Sequence, residues 1–546
     1  MNIEQPLMPD SNRRQFLKQA LALSGTCIPF PLWATAPEPS RTIQPSEPIR
    51  ESMERVSRCC LAWLNPDEDY RPTGGYETAH DTGRWWDAML RYEAATGDRI
   101  PGHLEEAMLK NLKVMTDNPA GLLMNVLGPP ESRVINLHNI RETMLTYAAL
   151  VKYRGNEWAW DQGEKLVAAI GELLTSDGQI DYPRLKTLMG GATINPDPMM
   201  CPYAPTGEWF DSTGTTGRAI EAFIHFAEAT GEDKALELAG RLAETHVRTI
   251  TDPSGKVRAE ILDTNHVGHN HSYCGTLRGL LLYGIRTKEK RYIDTVAQTY
   301  REGLWGTTIS HSGWTPHDLG KLRFPNEDGD PVGEHGSCAD VLVLALWLGL
   351  QAGQTNVLDD AERLIRARLL PSQMRAPDNP RNDGAWGVYG HPFGYGSILD
   401  VFAAVLHAFT EVERNAVNIL PDGTCSVNLH FTCDTPSVLV RVKRDNAATV
   451  VVVPKRNSPL RVRIPRWVPR DSLRIWVDGK ELPPRWDGYC LLLKPEEIPV
   501  GLELVVRYDL PKTETTEVMP VSKRQFKLAW LGDEVTACDP AVPIYS

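Results

Sequence analysis

The 546-residue chain lacks a basic excess: 58 Lys and Arg stand against 70 Asp and Glu, a formal net charge of −12. That deficit argues against nucleic-acid backbones and anionic membranes as partners. Paired cysteines at zinc-finger spacing are missing as well, and the ten cysteines are too scattered for the disulfide framework of a small secreted domain. Beyond the N-terminal segment, no apolar run approaches the roughly 18 residues that a membrane span needs. Global disorder is excluded by 42% hydrophobic and 23% charged content. What is present includes 15 Trp, 16 Tyr, 43 Gly and 41 Pro, a mixture suited to a loop-rich surface that reads neutral or polar ligands by stacking and hydrogen bonding.

Ser11-Asn12-Arg13-Arg14-Gln15-Phe16-Leu17-Lys18 resembles a twin-arginine export signal, and it precedes an apolar run from Ala20 to Trp33 and a small-x-small site at Ala34-Thr35-Ala36. Pro29 and Pro31 interrupt any amphipathic helix there. Residues 1–36 are therefore expected to be a signal peptide, leaving a soluble periplasmic or extracellular protein with no membrane contact.

Between residues 47 and 415 the sequence predicts six related helical units. They open at Gly83, Arg141, Gly217, Gly275, Cys338 and Gly396, at a near-constant period. Each runs through small and apolar residues at helical spacing to a polar break before a second helix. Paired helices that cannot bury their apolar faces alone stack with their neighbours, and six of them close into an (α/α)6 toroid. In that reading the first helix of each pair lines the centre. From about residue 416 the pattern becomes short alternating runs such as SVLVRVKR and TVVVVPKR, bounded by Asp-Gly and Pro-rich turns. These predict an antiparallel β-sandwich over 416–546, with the tail from Thr513 either completing a sheet or packing back on the toroid. Cys425 and Cys433 fall in one expected hairpin, where an oxidising compartment favours a disulfide.

The loops before the inner helices concentrate polar and aromatic residues, as carbohydrate chemistry requires: ring faces cover the C–H face of a sugar, and polar groups bond its hydroxyls. Glu142, Asp211, Asp318 and Glu334 are candidate acids, bases or nucleophiles, and His271 and His335 are candidates for proton handling. Asp81, Trp85, His138, Arg141, Trp209, His269, Trp386, Tyr389 and His391 are candidate substrate contacts. His266-x-x-His269-x-His271, with Cys274 three residues on, is the densest run of metal-ligand types. Without paired cysteines, no metal or other cofactor is expected, and His269 and His271 read better as hydroxyl contacts or proton carriers.

The HSYCGTLRGLLLYG unit, the FPNED stretch leading to GSCAD, and the LRVRIPRW, VDGK and GYCLLL segments resemble the β-L-arabinofuranosidase-type hydrolases of glycoside hydrolase family 127. The resemblance implies an (α/α)6 barrel followed by β-sandwich modules, and activity on arabinofuranosides or related sugars. It also implies a cysteine nucleophile within a zinc site of one Glu and three Cys, and a separate Glu as acid/base. Cys338 matches the first cysteine ligand. Gly336 stands where the family has its glutamate, Gly390-His391-Pro392-Phe393-Gly394 stands where it has a Cys-Cys pair, and the acid/base position falls near His317 and Asp318. The fold expectation carries over; the cysteine mechanism and its metal do not. The sequence therefore reads as an exported glycoside hydrolase acting on polysaccharide-derived oligosaccharides at the loop face of the toroid. A polysaccharide lyase or unsaturated-uronyl hydrolase and a noncatalytic carbohydrate-binding relative are the alternatives.

Overall fold

The structure is a computed structural model whose described residues are 49–126, 134–176, 178–195, 200–202, 209–211 and 216–545, with side chains described for all but 194–195, 200–202 and 209–211. The expected signal peptide lies outside them. Two sets of helices alternate along the chain. The outer set is α1 (Ile49–Ala62), α3 (Gly102–Met115), α5 (Glu157–Leu173), α7 (Asp233–Thr249), α9 (Lys290–Thr299) and α11 (Leu358–Arg363); the inner set is α2 (Thr78–Thr96), α4 (Asn139–Arg154), α6 (Ala219–Thr230), α8 (Asn270–Thr287), α10 (His335–Leu350) and α12 (Leu399–Asn415). Composition separates the sets. In α7, Ala235, Leu238, Ala239, Leu242, Ala243 and His246 form a buried stripe at intervals of three and four, the pattern of a helix with one wet face. In α10 every residue from His335 to Gly349 is buried, the pattern of a helix enclosed on all sides.

Gly155 ends α4 in the left-handed conformation (φ 59°), and Asn156 then caps α5 by accepting a hydrogen bond from Ala159 N at 3.0 Å. This turn chemistry folds an inner helix back into an outer one. Each inner helix packs on the next, and α12 packs back on α2, so the ring is closed. Close approach depends on glycine: a Cβ at Gly83 would fall 2.7 Å from Glu142 Cβ, and one at Gly279 would fall 2.8 Å from Ile220 Cβ. The sixth pair differs from expectation. After α12 the chain turns directly into strands, and the outer position beside α12 is taken by α1, from the beginning of the described chain. The exposed side of α12 needs an apolar cover, and α1 supplies it, joining the two ends of the helical region.

The strands are β1 (Val417–Ile419), β2 (Cys425–Val427), β3 (Cys433–Asp434), β4 (Val438–Arg444), β5 (Ala447–Pro454), β6 (Leu460–Arg463), β7 (Arg474–Val477), β8 (Lys480–Leu482), β9 (Trp486–Asp487), β10 (Cys490–Leu493), β11 (Leu504–Asp509), β12 (Lys512–Val518), β13 (Gln525–Leu531) and β14 (Glu534–Asp539). They form a five-stranded sheet, β9-β10-β6-β2-β1, a six-stranded sheet, β3-β4-β5-β11-β7-β8, and a three-stranded sheet, β12-β13-β14. Two corrections follow. Strands β2 and β6 pair in parallel, because the chain crosses to the other sheet for β3 to β5 before returning. Cys425 and Cys433 are buried free thiols on different sheets rather than partners in one hairpin. The tail packs back on the ring: Phe526 and Tyr545 lie 5.1 and 5.7 Å from Phe393, and Glu517 accepts hydrogen bonds from Ser310 Oγ and Ser312 N at 2.8 and 2.7 Å. Among the described residues, no helix is long and apolar enough to cross a membrane.

Candidate active site at the polar end of the ring

The first turns of all six inner helices meet at one end of the ring. Asp400 on α12 lies 3.9 Å from His80 on α2, whose ring centroid is 6.0 Å from that of His138, the residue before α4. Arg218, before α6, donates to His138 Nδ1 at 2.8 Å. The His138 and His269 rings are 6.1 Å apart, and His269, before α8, faces Glu334, before α10, at 3.3 Å. The positive ends of six helix dipoles therefore surround this layer. Tyr76 is 44% exposed at this end, and the side chains of Asp400 and His317 keep 14% and 12% exposure.

An irregular ladder of loop backbone holds part of this layer. Asn270 N donates to His317 O (3.0 Å), His317 N to Val332 O (2.8 Å) and Glu334 N to Thr315 O (3.0 Å), and Gly333–Glu334 pairs with Val388–Tyr389. Four segments far apart in sequence are thereby laid side by side. Burial pushes the Glu334 carboxyl up to about 7, with the nearby charge of Asp400 adding to the effect. Burial also pushes Asp81 well above the usual carboxylate range, reinforced by Asp400 and Glu77, and it raises Asp400 itself against the opposing pull of Arg84 and Arg218. Asp318 is the opposite case. Burial favours its neutral form, but the hydrogen bond from His317 and the charge of Arg323 hold it down at about 2. Burial keeps the imidazoles of His80 and His269 neutral.

One turn deeper, charged groups fill the axis. Glu142 receives Arg141 at 3.0 Å, Arg84 at 3.1 Å and Arg218 at 3.3 Å. Burial alone would raise its carboxyl, yet Arg141 and Arg84 hold it well below the ordinary range. His271 bridges Asp340 (2.6 Å) and Arg84 (2.7 Å), and burial lowers its imidazole to about 3. Arg278 joins Asp340 to Glu221, and His407 joins Asp87 at 3.0 Å.

The expected site residues divide accordingly. Asp81, His138, His269, Asp318 and Glu334 lie in the polar end layer. Glu142, Arg141 and His271 lie in the axial network, where Glu142 is held by three arginines and His271 by Asp340 and Arg84. Trp85 and Trp386 are corrected to core: both rings are fully buried, and their indole N–H groups donate to Cys60 O (3.2 Å) and Leu369 O (2.7 Å). His335 turns to Gly387 O at 2.9 Å and packs on Tyr389 at 4.4 Å; Tyr389 accepts from Arg368, and the His391 ring lies 6.3 Å from that of Phe526. These three belong to the seam under the C-terminal sheet rather than to a substrate surface. Trp209 and Asp211 sit on a strand paired with Met200–Pro202, and their side chains lie outside the described residues. Asp400 is the residue of this layer that the sequence reading did not name, and His317 entered it only as a neighbour of the expected acid/base position. Asp400 was legible as an acid in the first turn of an otherwise apolar inner helix, like Asp81 in α2.

No protein-family model matches the chain, and no curated protein sequence matches it. Solved structures do. A GH127 β-L-arabinofuranosidase from Geobacillus stearothermophilus T6 superposes with a TM-score of 0.55 at 13% identity, over 95% of this chain and 82% of that one. A second GH127 β-arabinofuranosidase gives 0.57 at 14% identity, over 90% and 81%. The chain shares their fold. A third structure, described as a glycoside hydrolase, gives 0.57 at 12% identity over the same shares.

The zinc site implied by the GH127 resemblance does not fit the residues of this GH127-like ring. Of the implied ligands only Cys338 is present, buried in the first turn of α10, and Gly336 offers no side chain in place of the glutamate. The segment in place of the Cys-Cys pair contributes His391, whose Nδ1 accepts from Phe393 N at 3.2 Å, and Phe393, which is packed under the C-terminal sheet.

Proposed function

We propose that this chain is an exported glycoside hydrolase that cleaves polysaccharide-derived oligosaccharides at the polar end of the ring, with arabinofuranosides as the first substrates to test. The carrying observation is the pair of neighbouring carboxyls, Asp81 and Asp400, on adjacent inner helices. Glycosidic cleavage needs one carboxylic acid to protonate the departing oxygen and one carboxylate to act as nucleophile or to activate water. Burial raises both acids and the charge of Asp400 raises Asp81 further, so an ionised Asp400 keeps the proton on Asp81. His80 lies beside Asp400, and the exposed ring of Tyr76, 5.4 Å from His80, offers an apolar face to a sugar. The fold shared with GH127 β-L-arabinofuranosidases supports the choice of sugar, and the twin-arginine segment supports export.

The test is a reducing-sugar screen over arabinans and pectic side-chain oligosaccharides, followed by kinetics of Asp400→Asn and Asp81→Asn. Each substitution is expected to lower kcat by about 10²–10⁴-fold with a smaller change in KM. Wild-type turnover in both variants would overturn the assignment. Products absorbing as unsaturated uronates would move it to a lyase.

A further inference from the structure

We propose that His269, His317 and Glu334 form a binding site for a divalent transition-metal ion, Zn²⁺ being the natural probe. One donor atom from each residue can be chosen so that all three lie within 4.8 Å of one another. The residues come from three different loops, and the backbone ladder described above holds those loops in register. This set is independent of the dense sequence cluster His266, His269, His271 and Cys274, which the fold disperses: His271 points down the axis to Asp340, and Cys274 donates to Asn270 Oδ1.

Two features beyond proximity point to a cation. First, His269 Nε2 and Glu334 Oε2 are buried, face each other at 3.3 Å and make no hydrogen bond. Buried polar atoms left in this state carry a desolvation cost that a bound ion removes. Second, both imidazoles are engaged at Nδ1, His269 by Ser272 Oγ at 2.9 Å and His317 by Asp318 Oδ1 at 3.0 Å. Nε2 of each ring is thereby left for coordination. A carboxylate or hydroxyl behind the far nitrogen is the usual way a protein orients a ligating histidine and raises its basicity. Two imidazole nitrogens and one carboxylate are a borderline-soft donor set that suits Zn²⁺, with a fourth position open to water or substrate oxygen. The thiol of Cys338 takes no part.

The experiment uses the full mature chain, stripped with chelator, dialysed and titrated with Zn²⁺ by calorimetry and with Co²⁺ by visible absorption. The expected result is one equivalent bound, with a Co²⁺ spectrum free of thiolate charge transfer. His317→Ala and Glu334→Gln should each weaken binding by at least about 10²-fold, and Asp318→Asn by about 10–100-fold. His317 is partly exposed on a loop, so His317→Ala carries the test even where His269→Ala does not fold. Cys338→Ser and Asp400→Asn should bind as wild type, so an Asp400→Asn protein that is inactive yet metal-loaded separates this site from the carboxyl pair. The proposal is overturned if the wild type takes up neither ion stoichiometrically. It also fails if His317→Ala and Glu334→Gln bind undiminished, or if Cys338→Ser alone abolishes uptake.

Discussion

Between the inner helices of the ring lie Arg84, Asp87, Glu142, Arg218, Glu221, His271, Arg278, Asp340 and His407, all buried. Between the sheets of the sandwich lie Val438, Val440, Val450, Val452, Ile475, Leu491, Leu504 and Val506, equally buried. Strand β5 alternates buried and half-buried residues along its whole length, so period-two patterning alone assigns its core face. The ring has no such rule. Its interior charges are tolerable only as complete sets, because each ion's desolvation cost is offset by a nearby partner of opposite sign. The sandwich core serves cohesion, whereas the ring interior braces a polar layer whose acids are driven away from their ordinary ionisation.

The largest stability effect is expected from breaking one axial set. Arg278→Ala strands Glu221 and Asp340 in the interior and should cost about 3–5 kcal/mol, read as a lower midpoint in urea; a loss below 1 kcal/mol would show that water already reaches the axis. Acidification comes next. His271, His407 and, in the sandwich, His430 are held by burial at about 3, 4 and 4, below the ordinary imidazole value of about 6.5. The unfolded chain therefore takes up protons first as pH falls. The stability these histidines confer is whole above about pH 6.5 and is lost as pH drops towards 4, by about 3 kcal/mol for His407 alone. Thermal midpoints measured from pH 7 to pH 4 should fall throughout, and a flat profile would contradict the neutral imidazoles. The smallest effect belongs to the sandwich: Ile475→Val removes one buried methyl group and should cost about 0.5–1.5 kcal/mol, with the turnover proposed above unchanged. A change in kcat from that substitution would mean that the two regions are coupled, against the division drawn here.

Several features of this protein were legible in the sequence for local reasons. Apolar spacing and small residues marked the inner helices, Gly155 and Asn156 marked a turn between helices, and Val-rich alternation marked the strands. The polar residues before the inner helices, read as one group in the sequence, do come together at one end of the ring. Trp85, Trp386 and Glu142 face the core or the axis, which side-chain type does not reveal because it says nothing of how a helix is rotated. The surroundings of Tyr389 and His391 were not legible locally, because Phe526, Tyr545 and their neighbours come from more than a hundred residues further along the chain.

By itself the sequence determined the kinds of element, their order and the turns between them, since helix periodicity, strand alternation and capping act over a few residues. Only the tertiary structure decided that α1 completes the ring beside α12, that Asp400 stands next to Asp81 and His80, and that His269, His317 and Glu334 converge. The first two relations join opposite ends of the helical region, and the third joins three separate loops. They depend on ring closure and on the desolvation that closure imposes, and neither is encoded at any single position.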